Sequence, residues 1–131
     1  MWQKRSNLNN KFGAKKISCN FNHPHPSALE ASVCAILTSQ NSIELIQTQK
    51  KVYLSEARIG YIPDFYCRDL HSGKEFFVEA KGFETESWAI KLKLYRVYGP
   101  LCLQLFKGTA LRPFKSETIE PVYGRSTLLE E

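Results

Sequence analysis

Between Lys74 and Phe106 three patterns follow one another with almost no chain between them. Residues Lys74 to Lys81 alternate as a strand does, and Gly82 ends them. Glu86 to Tyr98 places Ile90, Leu94, Val97 and Tyr98 at helical spacing, and Gly99-Pro100 stops that helix. Leu101 to Phe106 is a short apolar strand. A helix between two strands this close predicts a crossover joining parallel neighbours, with right-handed connection.

The chain before this unit supplies the rest of the layer. His23-Pro24-His25-Pro26 is rigid and non-helical, because each proline fixes φ and pushes the preceding residue out of the α region. Ser27 is a good N-cap, and Leu29, Val33, Ile36 and Leu37 form a helical stripe that should end near Ser39 to Asn41. Ile43 to Leu54 and Ile59 to Arg68 read as two strands. The turn His71-Ser72-Gly73 makes a hairpin of the second with the strand at Lys74 to Lys81. The order αβββαβ predicts an α/β fold, a mixed central sheet flanked by helices. Beyond Gly108 the pattern fades, and Pro113, Pro121 and Gly124 mark a tail. The expected organisation is one domain, with an arm at 1–22, a core at 23–108 and a tail at 109–131.

Charge is distributed unevenly. The whole excess of +5 sits in residues 1–22, which hold Lys4, Arg5, Lys11, Lys15 and Lys16 and no acid. Such an arm suits phosphate contact and counterion release, although a solvated terminus that aids solubility has the same composition. No apolar run reaches the ~18 residues of a membrane span, and Met1 to Asn10 lacks the apolar core of a secretory signal. An intracellular, cytoplasmic protein with reduced thiols is expected. Cys19, Cys34, Cys67 and Cys102 are widely spaced and form no Cys-x-x-Cys pair.

The chemistry concentrates in Pro63-Asp64-Phe65 and Val78-Glu79-Ala80-Lys81-Gly82. On a strand, Glu75, Phe77, Glu79 and Lys81 share one face, while Phe76, Val78 and Ala80 form the other, core-like face. If Asp64 lies opposite, two carboxylates and an ammonium converge. Two carboxylates and a backbone carbonyl are hard oxygen ligands suited to Mg²⁺. Such an ion activates water and offsets phosphate charge, and a lysine beside it orients water or stabilises the phosphate. Taken alone, Glu79-x-Lys81 reads equally as a solvated cross-strand ion pair. The apolar run directly before Glu79 argues for a buried strand end instead.

These two motifs, in this element order, resemble those of the PD-(D/E)XK nuclease superfamily. Lys11-Phe12-Gly13-Ala14-Lys15-Lys16 and Ser27-Ala28-Leu29-Glu30 are further similar to phage endonuclease I-type Holliday-junction resolvases and related small phage nucleases. The likeness covers roughly residues 11–107. It implies a restriction-endonuclease-like core and Mg²⁺ or Mn²⁺ held by Asp64, Glu79 and the Ala80 carbonyl. Lys81 would be the catalytic lysine and Glu30 an additional acidic residue. It also implies branched DNA as substrate, a role in DNA recombination, and a homodimer. Ser27-x-x-Glu30 is at the same time a capping-box pattern. Where resolvases often place another glutamate, this chain reads Gln47-Thr48-Gln49, and Gln49 is an auxiliary candidate.

Lys91 and Lys93, which edge the second helix, are candidate phosphate contacts, and a solvated helix face explains them equally. His23 and His25 fit a surface loop better than a metal site, and Trp2 is a candidate base-stacking residue. Three other readings remain open at this level. One is a phage or transposon nuclease that nicks or trims ends without junction preference. Another is a non-catalytic nuclease-fold DNA-binding protein. The last is an unrelated basic domain in which Asp64 and Glu79 lie far apart.

Overall fold

The computed structural model describes residues 17–18, 24–25 and 27–122. Its elements are β1 (Ile17–Ser18), β2 (Pro24–His25), α1 (Ala28–Thr38), β3 (Ile43–Thr48), β4 (Val52–Leu54), β5 (Ile59–Tyr61), β6 (Phe65–Asp69), β7 (Glu75–Ala80), α2 (Glu86–Tyr98), β8 (Cys102–Gly108) and β9 (Pro113–Ile119). Five strands form one sheet in the order β3-β6-β7-β8-β9. Only β7 and β8 are parallel; the other neighbours run antiparallel. The fold is therefore α/β with a mixed sheet, and α2 makes the expected connection between parallel neighbours. Among the described residues no helix is long and apolar enough to cross a membrane.

The sheet is buried on both faces. On one, Leu29, Val33, Cys34 and Leu37 of α1 pack on Phe65, Cys67, Phe76, Val78 and Phe106. On the other, Trp88 and Tyr95 of α2, with Val52, Leu54 and Tyr61, pack on Phe77, Leu103, Leu105 and Ile119. The face of β7 that carries Glu79 is thus the floor of a second core. Period-2 alternation cannot separate a solvated face from one that a distant helix covers.

Both helix starts follow from local chemistry. Ser27 Oγ accepts from the Glu30 amide at 3.1 Å, and Thr85 Oγ1 accepts from the Trp88 amide at 3.1 Å. At the other end of α2, the Gly99 amide donates to the Tyr95 carbonyl. A Cβ on Gly99 would stand 2.3 Å from Tyr95 Cε1. Tyr95 is almost fully buried, so its ring cannot swing aside. Gly99→Ala is expected to lower unfolding free energy by about 1–3 kcal/mol, the usual cost of overpacking. A denaturant midpoint unchanged from wild type would contradict this packing.

Two expectations need correction. The continuous strands at 43–54 and 59–68 are each broken, because β4 and β5 leave the sheet as a separate hairpin. Gln49, Ser55 and Arg58 have positive φ (59°, 66° and 56°), and Pro63 lacks an amide to donate. These positions turn the chain where composition reads as uninterrupted strand. The tail region holds a further strand, β9, on the edge of the sheet. Only Ile119 of it is buried, so no apolar alternation announces it. Lys115 and Glu117 lie on this edge, and charge there discourages pairing with a second chain. Arg96 on α2 ties it down through Glu117, at 2.7 Å.

Candidate active site

The site forms where β6 begins and β7 ends. Phe65 pairs with Val78, so Asp64 and Glu79 come next to each other on adjoining strands. Asp64 Oδ2 accepts from the Ala80 amide at 2.8 Å, which fixes that carboxylate beside Glu79. The chance-motif reading required the two to be far apart, and they are neighbours. Glu30 of α1 reaches the same place from the opposite face of the sheet. All three carboxylates are buried, with exposures of 3% for Glu30, 8% for Asp64 and 4% for Glu79.

Buried carboxylates so close together are costly when charged. Burial, and then Asp64 beside it, pushes Glu79 up from its ordinary value to about 8. Burial likewise raises Glu30 and Asp64, whose carboxyl groups are hydrogen-bonded to each other. Lys81 opposes this, with Nζ 3.4 Å from Glu79 Oε2, but one ammonium does not balance three carboxylates. The same Nζ lies 5.0 Å from the centre of the Trp88 ring, so the cation is held between a carboxylate and an aromatic face.

Tyr61, two residues before Pro63-Asp64-Phe65, has a place in the site that the motif itself does not indicate. Its hydroxyl donates to Glu79 Oε1 at 2.7 Å. The ring is wedged between Trp88, with centroids 5.9 Å apart, and Tyr95, at 5.6 Å and nearly edge-on. Tyr61 thus fixes one oxygen of Glu79 while Lys81 approaches the other. No periodicity marks this position, since Pro63 breaks the strand between Tyr61 and Asp64. Tyr61→Phe keeps the ring packing and removes only the donor. It is expected to weaken Mn²⁺ binding by about 10- to 100-fold, as loss of a ligand-orienting hydrogen bond does. A calorimetric Mn²⁺ titration identical to wild type would remove Tyr61 from the site.

Gln49 also belongs here. Its amide donates to the Asp64 carbonyl at 3.1 Å, and its side chain donates to Glu30 Oε2 at 3.2 Å. Its positive φ of 59° is a strained conformation for a non-glycine residue, held by these two contacts. A register shift in β3 between Leu45 and Gln47 precedes it. Of the capping box at Ser27 and Glu30, the structure shows the bond from the Glu30 amide to the Ser27 hydroxyl, while the Glu30 carboxylate is engaged elsewhere. That carboxylate faces Gln49 and Asp64.

No protein-family model matches the chain, and neither a curated protein nor a solved structure matches it. The chemistry of the site thus rests on geometry.

A divalent cation fits the donor set through Asp64 and Glu79, hard oxygens whose negative charge the protein leaves under-compensated. Among the described residues, no three His, Cys, Asp or Glu side chains are already spaced as a shell for an ion. Asp64 and Glu79 are the two carboxylates that such an ion would find here. In such a site the Ala80 carbonyl and solvent would complete the ligands.

A cleft of about 430 Å³ opens beside Glu79 and Lys81, between the β4–β5 hairpin and the start of α2. Lys91 lines it, whereas Lys93 is exposed and does not. The arm residues Lys4, Arg5, Lys11, Lys15 and Lys16 lie outside the described residues, as do Trp2 and His23.

Proposed function

We propose that this protein is a metal-dependent DNA endonuclease that hydrolyses phosphodiester bonds at Asp64, Glu79 and Lys81. The observation that carries the reading is the buried Asp64–Glu79 pair with Lys81 against it, at the mouth of a lysine-lined cleft. A structural ion pair has no need of a second and third buried carboxylate, since removing charge from water is costly unless it is compensated.

Asp64 and Glu79 would hold Mg²⁺ or Mn²⁺, and the ion would supply water activation and neutralisation of phosphate charge. The chain's own residues do the positioning. The Ala80 amide orients Asp64, and Tyr61 orients Glu79. Lys81 is 32% exposed at its side chain, enough to meet a phosphate oxygen or a water in the cleft. It stabilises developing negative charge there. Glu30, beside Asp64, is pushed up to about 7 by burial, and in this reading it would be the additional acidic residue of the site.

The preferred substrate in this reading is branched DNA, chiefly four-way junctions, recognised through backbone phosphates. A homodimer would place two such sites on two strands. The test is cleavage of a labelled four-way junction beside a linear duplex of the same sequence, with Mg²⁺ and with EDTA. Paired, metal-dependent cuts near the branch are expected. Equal cutting of both substrates would leave an end-processing or nicking nuclease. Tight DNA binding with no cutting of either would favour a non-catalytic DNA-binding protein.

A further inference from the structure

The cleft beside Glu79 has a composition that the carboxylate site does not explain. Its walls include Lys51, Lys81 and Lys91, with Thr85 and Ser87, and among the described residues Glu79 is the one carboxylate that lines it. Glu79 is already engaged by Tyr61 and Lys81. Among the described residues, neither Lys51 nor Lys91 has a carboxylate within ion-pair distance. Lys51 and Lys91 thus line one concave space with no carboxylate partner of their own, a setting that an anion would complement.

The two lysines come from separate elements. Lys91 belongs to the first half of α2. Lys51 immediately precedes β4, and its stem crosses Gly60 of the paired strand β5. A Cβ at Gly60 would meet Lys51 Cε at 2.8 Å. The missing side chain at Gly60 is therefore what lets the Lys51 stem lie across the hairpin. Its ammonium also stands 5.3 Å from the centre of the Tyr53 ring. Trp88 and Tyr61 close the cleft with aromatic surface, next to Lys81. Both rings are core residues, so what the cleft offers a ligand is cations and hydroxyl groups, the partners that a phosphate needs.

We propose that this cleft is a subsite for a second, non-cleaved phosphate of the DNA strand. Lys51 and Lys91 hold that phosphate from two sides while the neighbouring phosphate lies at Asp64 and Glu79. The identity of the ligand as a DNA strand rests on the nuclease reading, but capture of a phosphate by the two lysines does not. The β4–β5 hairpin then has a purpose outside the sheet: it delivers one of the two cations.

The test uses the full chain with Trp2→Phe, so that Trp88 reports alone, and thymidine 3′,5′-bisphosphate as probe in EDTA. Wild-type lysines should bind the bisphosphate and not thymidine. Lys51→Gln and Lys91→Gln should each weaken its Kd about tenfold, as loss of a charge-assisted contact does. Gly60→Ala, which displaces the Lys51 stem without removing its charge, should weaken it in the same direction. Lys74→Gln, at the opposite end of β7, should leave it unchanged. Affinity that is equal in all four variants would overturn the subsite, and so would thymidine binding as tightly as its bisphosphate. Mg²⁺-dependent DNA cleavage is measured separately on the same proteins. Bisphosphate binding that depends on both lysines, without any cleavage, would retain the subsite and remove the nuclease reading. Cleavage unaffected by Lys51→Gln and Lys91→Gln would do the reverse.

Discussion

Glu79→Gln is expected to abolish DNA cleavage, with a loss on the order of 10³-fold or more, while DNA binding is kept or tightened. The magnitude is that of removing a group that acts directly on transition-state charge. The substitution preserves shape, and the Gln carbonyl still accepts from Tyr61. It removes one negative charge from a place where a phosphate must come. A metal-bound site therefore loses a ligand, whereas a DNA-binding surface loses a repulsion. Gel-shift affinity and single-turnover cleavage on the same junction separate the two effects. Parallel loss of both would indicate a damaged fold, and unchanged cleavage would take Glu79 out of the chemistry.

The largest expected effect on stability is a fall as pH rises from about 5 to about 8 in the absence of divalent metal. The sign follows from the direction of the shifts. Glu79 titrates near 8 in the fold, raised from an ordinary 4.5, and Glu30 and Asp64 are raised by the same burial. Between those limits the folded chain keeps protons that the unfolded chain has released. The stabilising contribution is then complete below the unfolded value and is lost as pH climbs through the folded one. Glu75 and Glu117 are shifted down by their Tyr66 and Arg96 partners, so they act in the opposite sense and below this window. In Glu79→Gln the slope should be shallower by about one proton, ~1.4 kcal/mol per pH unit. Mg²⁺ or Mn²⁺ should raise the melting temperature of the wild type more at pH 8 than at pH 6, because the ion competes with protons for the same oxygens. Melting curves that are flat from pH 5 to pH 8 would show that the carboxylates are not held together in solution.

These two results bear on different levels of the argument. The pH dependence tests the geometry of the cluster, whatever its use. The cleavage assay tests what that cluster is for. A protein that passes the first and fails the second keeps its cation-seeking site and needs another substrate.

Much of the layout could be read before any coordinates. Ser27 as N-cap, the helix from Glu86 to Tyr98 and its stop at Gly99-Pro100 are local effects, decided by hydrogen bonds and φ restrictions within a few residues. The hairpin was legible from its turn, His71 to Gly73, but only the register Phe65 to Val78 turns the conditional pairing of Asp64 with Glu79 into a contact. The departure of β4 and β5 from the sheet was not legible. Val52-Tyr53-Leu54 and Ile59-Gly60-Tyr61 have the composition of sheet strands, and only the positive φ values around them reveal the turn. The edge strand β9 was hidden for the opposite reason, since a strand with a single buried residue carries no periodic signal.

What the sequence determined by itself was the set of helices, the crossover and the two carboxylates at one strand end, because each depends on neighbours along the chain. What only the tertiary structure decided was the character of the site. Glu79 is buried because α2, the next element in the chain, folds back over that face of β7, and Glu30 joins it from a helix on the other side of the sheet. Tyr61 reaches Glu79 across β6, Trp88 meets Lys81 from the following helix, and Lys51 lines the same cleft from just before β4. Burial, and with it the raised affinity of these carboxylates for a proton or a cation, is a property of three-dimensional packing that no spacing of residues in a single strand can encode.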